Sequence, residues 1–209
     1  MTTPAQPLRE PVVSTAGWPV VLEDGDVVLR PLRLRDSGAW RSVRAANLQW
    51  LRPWEATDPS GAAPVRTFAG LVWELSRQGR LGTAMPFALE VEGSFAGQVT
   101  VGGITWGAMR SAHVGYWIDG RLAGRGIVPR AVALVVDHCL RIGLHRLEVN
   151  IRPENAASLR VVEKLGLRDE GLREKYLHID GAWRDHRTFA VTREELPQGL
   201  LARYRATHP

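Results

Sequence analysis

Apolar positions alternate in some stretches of the chain and form a helical stripe in others, and the changes of period set an order of elements. Residues 1–23, interrupted by Pro4, Pro7, Pro11 and Pro19, follow neither period and read as an extended or flexible tail. A first strand is expected over 27–32. Asp36 stands at a helix-cap position, before a helix on which Trp40, Val43 and Asn47 share a face. The next stretch, LQWLRPWEATDPSGAAP, is rich in breakers and carries two tryptophans, which predicts a long loop touching core or ligand. A second helix is expected over 65–78 with Phe68, Leu71, Val72 and Leu75 as its stripe, closed by Gly79 and Gly82. Strands over 87–91, 97–105 and 113–119, separated by short turns, suit an antiparallel meander, and Gly115 in the last marks a bulge or a close backbone approach.

The stretch AHVGYWIDGRLAGRGIVPRAVALVVDHC then runs from a strand through glycines into an almost wholly apolar helix over 127–140. Beyond it, Leu147, Val149 and Ile151 alternate with Glu148 and Asn150, so the two sets face opposite sides of a strand. A helix follows over 155–165, stopped by Gly166, and a hairpin over 176–191 turns at Asp180-Gly181. The order is α+β, with a central twisted mixed sheet of about seven strands flanked by about four helices. One domain over 24–196 is expected, between the tail and a C-terminal tail over 197–209.

A strand opening through glycines into a buried helix aims backbone N–H groups at one small volume and makes it attractive to anions. Which anion depends on spacing. A P-loop requires GxxxxGK(S/T), and neither Lys nor Ser/Thr follows these glycines. A dinucleotide fingerprint would begin at Gly124 and Gly126, but its third glycine position is Pro129. Arg121-Leu122-Ala123-Gly124-Arg125-Gly126 instead fits R/Q-x-x-G-x-G/A.

Composition narrows this further. Hydrophobic and charged contents of 44% and 23% over 209 residues are globular values for one core. The net charge of +5 is carried almost entirely by Arg, since Lys164 and Lys175 are the only lysines. Basic residues are interspersed with acids, which argues against a nucleic-acid groove. The single cysteine, Cys139, excludes an intrachain disulfide and reads as core. No signal peptide or membrane span is evident, and a cytoplasmic location is expected.

RLAGRG together with Asn155-x-x-Ser158, Glu163-Lys164-Leu165-Gly166-Leu167, Leu51-Arg52-Pro53-Trp54-Glu55 and the ending GLREKYLHIDGAWRDH resembles the GNAT acetyltransferase superfamily, in its RimJ/RimL-type ribosomal-protein subgroup. The resemblance covers about residues 25–192. It implies acetyl-CoA as cosubstrate and no metal. Trp117, Ile118, Arg121, Gly124, Arg125, Gly126, Ile127 and Asn155 are the implied cofactor contacts, with the strands on either side of the long helix splaying to admit the pantetheine. Asn155 also suits a helix cap, and solvated roles suit the two arginines. The tyrosine that the family places seven residues after this asparagine is replaced by Val162, so Ser158 becomes the candidate acid or thiolate donor, against a plain surface serine. Glu148 matches a general-base position, against a structural glutamate satisfied by Arg. Trp54, Glu55, Glu170 and Tyr176 are the candidate acceptor contacts.

The implied reaction is acetylation of a protein N-terminal α-amine, a ribosomal protein being the expected class, by direct attack in a ternary complex. The expected partners are that protein terminus, with no nucleic acid or membrane, and the expected state is monomer or homodimer. Small-molecule amine acetylation (antibiotic or polyamine) and a non-catalytic acyl-CoA-binding module stay open as alternatives.

Overall fold

A computed structural model describes residues 17–61 and 67–208. Pro4, Pro7 and Pro11 in the expected tail, and Val65 at the expected start of the second helix, lie outside the described residues.

The elements in chain order are β1 (Leu22–Asp24), β2 (Val27–Pro31), α1 (Ser37–Ala46), α2 (Leu48–Leu51), α3 (Phe68–Leu81), β3 (Met85–Val91), β4 (Ser94–Thr105), β5 (Ser111–Ile118), α4 (Ile127–Arg141), β6 (Arg146–Ile151), α5 (Ala156–Leu165), β7 (Arg168–Ile179), β8 (Ala182–Thr192) and α6 (Leu200–Thr207). All eight strands join one mixed sheet in the order β1-β2-β3-β4-β5-β6-β8-β7. The strands from β1 to β5 form an antiparallel meander, β5 and β6 pair in parallel, and β6, β8 and β7 are antiparallel.

Helix α4 is apolar on nearly every side because it is covered on nearly every side. Ala131, Val132, Ala133, Val135, Val136 and Cys139 are fully buried in the main core, between the sheet and α5 and α6. Burial pushes the Cys139 thiol up to about 12, so it is inert packing, as its place on this helix suggested. A smaller core of Leu32, Phe68, Val72 and Ala88 lies under α1 and α3 on the opposite face, with Leu71 and Leu75 packed beside it.

Three expectations about element number change. Strand β1 makes eight strands rather than seven. It lies inside the stretch read as a tail and is too short to show a period, but it pairs with β2 from Leu22 to Asp24. Six helices, rather than four, occur among the described residues. The breaker-rich loop contains α2 and a 3-10 turn over Arg52–Trp54, anchored by buried Leu51. The expected C-terminal tail contains α6, whose Leu200 and Tyr204 are buried in the main core. The hairpin's first strand also begins earlier than expected, at Arg168, because this strand is mostly exposed and its charges mask the alternation. Gly115 makes neither a bulge nor a close approach: it pairs in register with Thr100, and an added Cβ would meet nothing within 4 Å.

The N-terminus of α6 lacks a capping side chain of its own. Asp137 of α4 accepts from Leu200 N–H at 2.6 Å and Leu201 N–H at 3.1 Å, tying the last helix to the central one. Asp137→Ala should therefore cost about 1–2 kcal/mol, as loss of a helix cap does. A calorimetric scan should show the melting temperature fall by roughly 2–8 °C; an unchanged melting temperature would remove this tie from the account.

Candidate active site

Strands β5 and β6 pair at only three positions, Ser111 with Arg146, Ala112 with Leu147 and His113 with Glu148. Beyond these the strands part. Strand β5 stays bound to β4 as far as Ile118 opposite Gly97, and β6 stays bound to β8 as far as Ile151 opposite Arg187. Val114–Ile118 and Val149–Ile151 thus face each other across a gap with no ladder between them. Backbone groups on the inner edges of such a gap can take an extended ligand as a third strand.

One side of the gap opens into a cavity of 680 Å³ lined in part by Trp117, Ile118, Gly124, Gly126, Ile127 and Asn155. Gly124 and Gly126 have φ of 81° and 76°, the left-handed region that glycine enters without strain. Helix α4 starts at the second of them with no side-chain cap, so its first N–H groups point out of the helix toward this cavity. Pro129 in the first turn has no N–H to leave unpaired. Arg44, Arg160 and Lys164 also line the cavity, and its only carboxylate, Glu55, is ion-paired with Arg44. An uncapped helix start with surplus cations and a strand-shaped gap fits a phosphate-bearing cosubstrate with an extended amide arm, as acetyl-CoA is.

The glycine turn is held from across the sheet. Asn47, buried at the end of α1, accepts from Gly120 N–H at 2.8 Å and donates to Asp119 Oδ1 at 3.2 Å. Asp119 also accepts from Arg121 N–H at 3.0 Å and binds the Arg121 guanidinium. These hydrogen bonds outweigh its burial and hold the carboxyl below the usual range.

On the other side lies a second cavity of 350 Å³. Its roof is built from two distant segments. The isolated bridge between Ala56 and Ile179, Thr57 N–H donating to His178 O at 3.0 Å, and Asp180 N–H donating to Glu55 O at 3.2 Å fasten the Trp54 segment to the β7–β8 turn. Arg152, just after β6, braces it, donating to Pro53 O at 2.7 Å with its guanidinium 5.3 Å from the Trp54 ring centre. Asp180 and Gly181 both have positive φ, as the expected two-residue turn requires.

The two cavities meet at Trp54, Ala56, Tyr116, Asn155 and Ser158, which line both. Asn155 caps α5, accepting from Ser158 N–H at 3.0 Å, which sets Ser158 at the junction. The Tyr116 hydroxyl is buried there, with the Ser158 side chain as its polar neighbour. Burial pushes its phenol up to about 12, partly offset by the nearby Ser158. Tyr116 follows a strand glycine and looks like core packing in sequence, so its hydroxyl was not among the expected site groups.

The expected site residues fall into two sets. Trp117, Ile118, Gly124, Gly126, Ile127, Asn155, Ser158, Trp54 and Glu55 line the first cavity, and Tyr176 lines the second. Arg121 and Arg125 line neither: the first is 78% exposed and bound to Asp119, and the second is exposed. Glu148 and Glu170 also line neither. Glu148 is held by Arg146 at 2.9 Å and Arg173 at 3.0 Å. Glu170 is held by Arg146 and by Arg168, whose hydrogen bonds lower its carboxyl to about 2. Besides Tyr116, the residues that sequence reasoning passed over include Arg44, Arg160, His113 and His186, which only the tertiary arrangement collects. Among the described residues no cluster of three His, Cys, Asp or Glu could hold a metal ion, and no helix is long and apolar enough to cross a membrane.

Comparison with known proteins agrees with this geometry. Residues 26–168 match the Acetyltransferase (GNAT) domain family. The chain is 30% identical over 174 residues to an Escherichia coli [ribosomal protein uS5]-alanine N-acetyltransferase, covering 79% of this chain and 88% of that one. It is 41% identical over 96 residues to a Bacillus subtilis protein described as Probable N-acetyltransferase YjcK, covering 46% of this chain and about half, 53%, of the relative. Among solved structures it is similar to Mycobacterium smegmatis RimJ in complex with CoA-disulfide, with a TM-score of 0.85, 42% identity and coverage of 91% and 96% of the two chains.

Asn47→Ala would remove both bonds that reach the Asp119-Gly120 turn from α1. Two hydrogen bonds at about 0.5–1.5 kcal/mol each imply CoA affinity weakened by roughly 5- to 150-fold. Titration calorimetry with CoA checks this, and affinity equal to that of the parent chain would show that the turn holds its shape without α1.

Proposed function

The chain belongs to the GNAT acetyltransferase family, and from that premise we propose that it acetylates the N-terminal α-amine of a protein, using acetyl-CoA. Ribosomal proteins are the acceptor class suggested by its relatives, and acetylation in the cytoplasm follows from that class. The observation that carries the reading is the β5–β6 gap with a cationic cavity on one side and a separate cavity on the other, meeting at two hydroxyl groups.

In this reading the α4 N-terminus and the Gly124–Ile127 backbone hold the pyrophosphate, with Lys164 and Arg160 adding charge. The free edge of β5 near Trp117 and Ile118 aligns the pantetheine and so brings the thioester to the junction. Ser158 and Tyr116 present their hydroxyls there to the departing sulfur. The raised phenol keeps Tyr116 protonated throughout the working range, so it acts as a donor. No activated Cys or Ser nucleophile lines either cavity, which supports direct attack by the amine in a ternary complex.

The second cavity favours a peptide terminus over a polyamine or an aminoglycoside. No Asp or Glu lines it, and Arg152 is its one permanently charged residue. A polycation entering such a space would lose hydration without gaining a counter-charge. A chain terminus brings one amine that is readily neutral. With a pKa of about 7.7–8.0 against about 10.4 for lysine, its deprotonation at neutral pH costs roughly 3 kcal/mol less. The exposed Tyr176, Leu177 and Trp183 on the hairpin give the following peptide residues apolar surface to lie against.

The reading is tested by following CoA release with alanine- and serine-initiated peptides, spermidine and an aminoglycoside. Turnover is expected with the peptides and not with the polycations; the opposite preference would overturn the peptide assignment, and no turnover with any of them would favour a binding module. Ser158→Ala should lower kcat by about 10-fold or more, and full turnover would take Ser158 out of the mechanism. Gly115→Leu should leave CoA affinity unchanged and depress kcat/KM for the peptide, because its side chain would project into the second cavity without meeting backbone.

A further inference from the structure

We propose that His186 is the proton acceptor of the reaction, taking the proton of the attacking amine on its Nε2; the assignment rests on the second cavity being the acceptor site. His186 lies on β8, lines that cavity and is only 4% exposed. Its Nδ1 is 3.1 Å from the Arg184 carbonyl. A carbonyl oxygen can only accept, so Nδ1 carries the hydrogen and the tautomer is set. That leaves Nε2 with its lone pair free, and among the described residues no group bonds to it. The Tyr176 ring packs edge-on at 5.6 Å and fixes the plane of the imidazole. A buried, oriented imidazole with one nitrogen held and the other free is the arrangement a general base needs.

The surroundings keep this imidazole neutral. Burial lowers its pKa first, and Arg152, just after β6, adds to that effect. The Arg184 carbonyl, Glu154 beyond β6 and the neighbouring Asp185 act in the opposite sense without reversing it. From β7 the groups facing it are Tyr176 and Arg173, its partner in the strand register. The other candidates stand differently. Glu148 and Glu170 have their carboxylates occupied by arginines outside the cavity. His113 also lines the cavity, but its ring lies against Gly102 and Gly103 of β4 and under the charge of Glu148, its partner across the β5–β6 pair.

The proton balance is simple. The amine nitrogen bonds to the thioester carbonyl carbon, the carbon–sulfur bond breaks, and sulfur leaves with the electron pair. The proton lost by nitrogen passes to Nε2 and then to solvent at the cavity mouth, while sulfur takes up one proton by way of the Ser158 hydroxyl.

The test measures kcat for His186→Gln and His113→Gln against pH, using acetyl-CoA and an alanine-initiated peptide. His186→Gln should lower kcat by about 10²-fold or more, leave the KM for acetyl-CoA unchanged and abolish the acid-side loss of kcat that the parent chain is expected to show below pH 6.5. His113→Gln should change kcat by less than fivefold. Added imidazole should partly restore His186→Ala, which a purely structural role would not allow. A folded His186→Gln variant with kcat within threefold of the parent, or transfer of the acid limb to His113→Gln, would overturn the assignment. Should the variants fail to fold, nitrogen-15 NMR of the parent chain decides: an Nδ1–H tautomer titrating below 6.5 supports the assignment, and an Nε2–H tautomer overturns it. Absence of peptide turnover in the parent chain would sink the acceptor reading separately, and the NMR result would still decide whether His186 can serve as a base.

Discussion

The rest of the site depends on a parallel strand pair that is allowed to form at only three positions. Strands β5 and β6 cannot close further because each belongs to a different half of the sheet. At Gly97, β4 approaches β5 so closely that a Cβ would lie 2.2 Å from the Trp117 carbonyl, which locks the far end of β5 onto the meander. On the other side β6 is paired with β8 along its whole length. The right-handed twist of the two half-sheets carries their inner edges apart, and α4 fills the space beneath with a dry, close-packed surface. Two strand edges that would ordinarily be a liability become the walls of a binding site.

The same division keeps the two charge environments separate. The first cavity collects three cations around an uncapped helix start, whereas the second is lined by aromatic, apolar and neutral polar groups with one arginine. That arginine is itself spent on structure, since Arg152 spans from the end of β6 to the Trp54 segment. A donor carrying several negative charges and an acceptor that must lose a proton are therefore sorted by electrostatics before they meet. Tight cation clusters near the acceptor would favour a neutral amine, but they would also hold the cosubstrate's phosphates in the wrong place.

Local chemistry in the chain made the donor half readable. The glycines of RLAGRG, the apolar run of α4, the Asn155 cap and the αL stop at Gly166 each act over a few residues, and each is found where the spacing puts it. The parts that were not readable are made by contacts between distant segments. Strand β1 and α6 carry weak patterns of their own and are fixed by partners, β2 for the first and Asp137 for the second. Arg121 and Arg125 stand beside the phosphate turn in sequence, yet Arg121 folds back on Asp119. Glu148 faces the side that alternation predicts, but no pattern within β6 reveals that Arg173, on β7, closes over it. Gly115 illustrates a further limit: a strand glycine signals open space here rather than contact, and only the neighbouring cavity tells the two apart.

The valine at position 162 can now be understood from packing. Val162 is fully buried in the main core, so a tyrosine there would have to displace the layer between α5 and the sheet. A hydroxyl at the junction must then come from elsewhere. Ser158 supplies one from the exposed turn of the same helix, and Tyr116 supplies a second from β5, reaching the junction from the opposite wall. With valine at position 162, the hydroxyls that line the junction stand on α5 at Ser158 and on β5 at Tyr116.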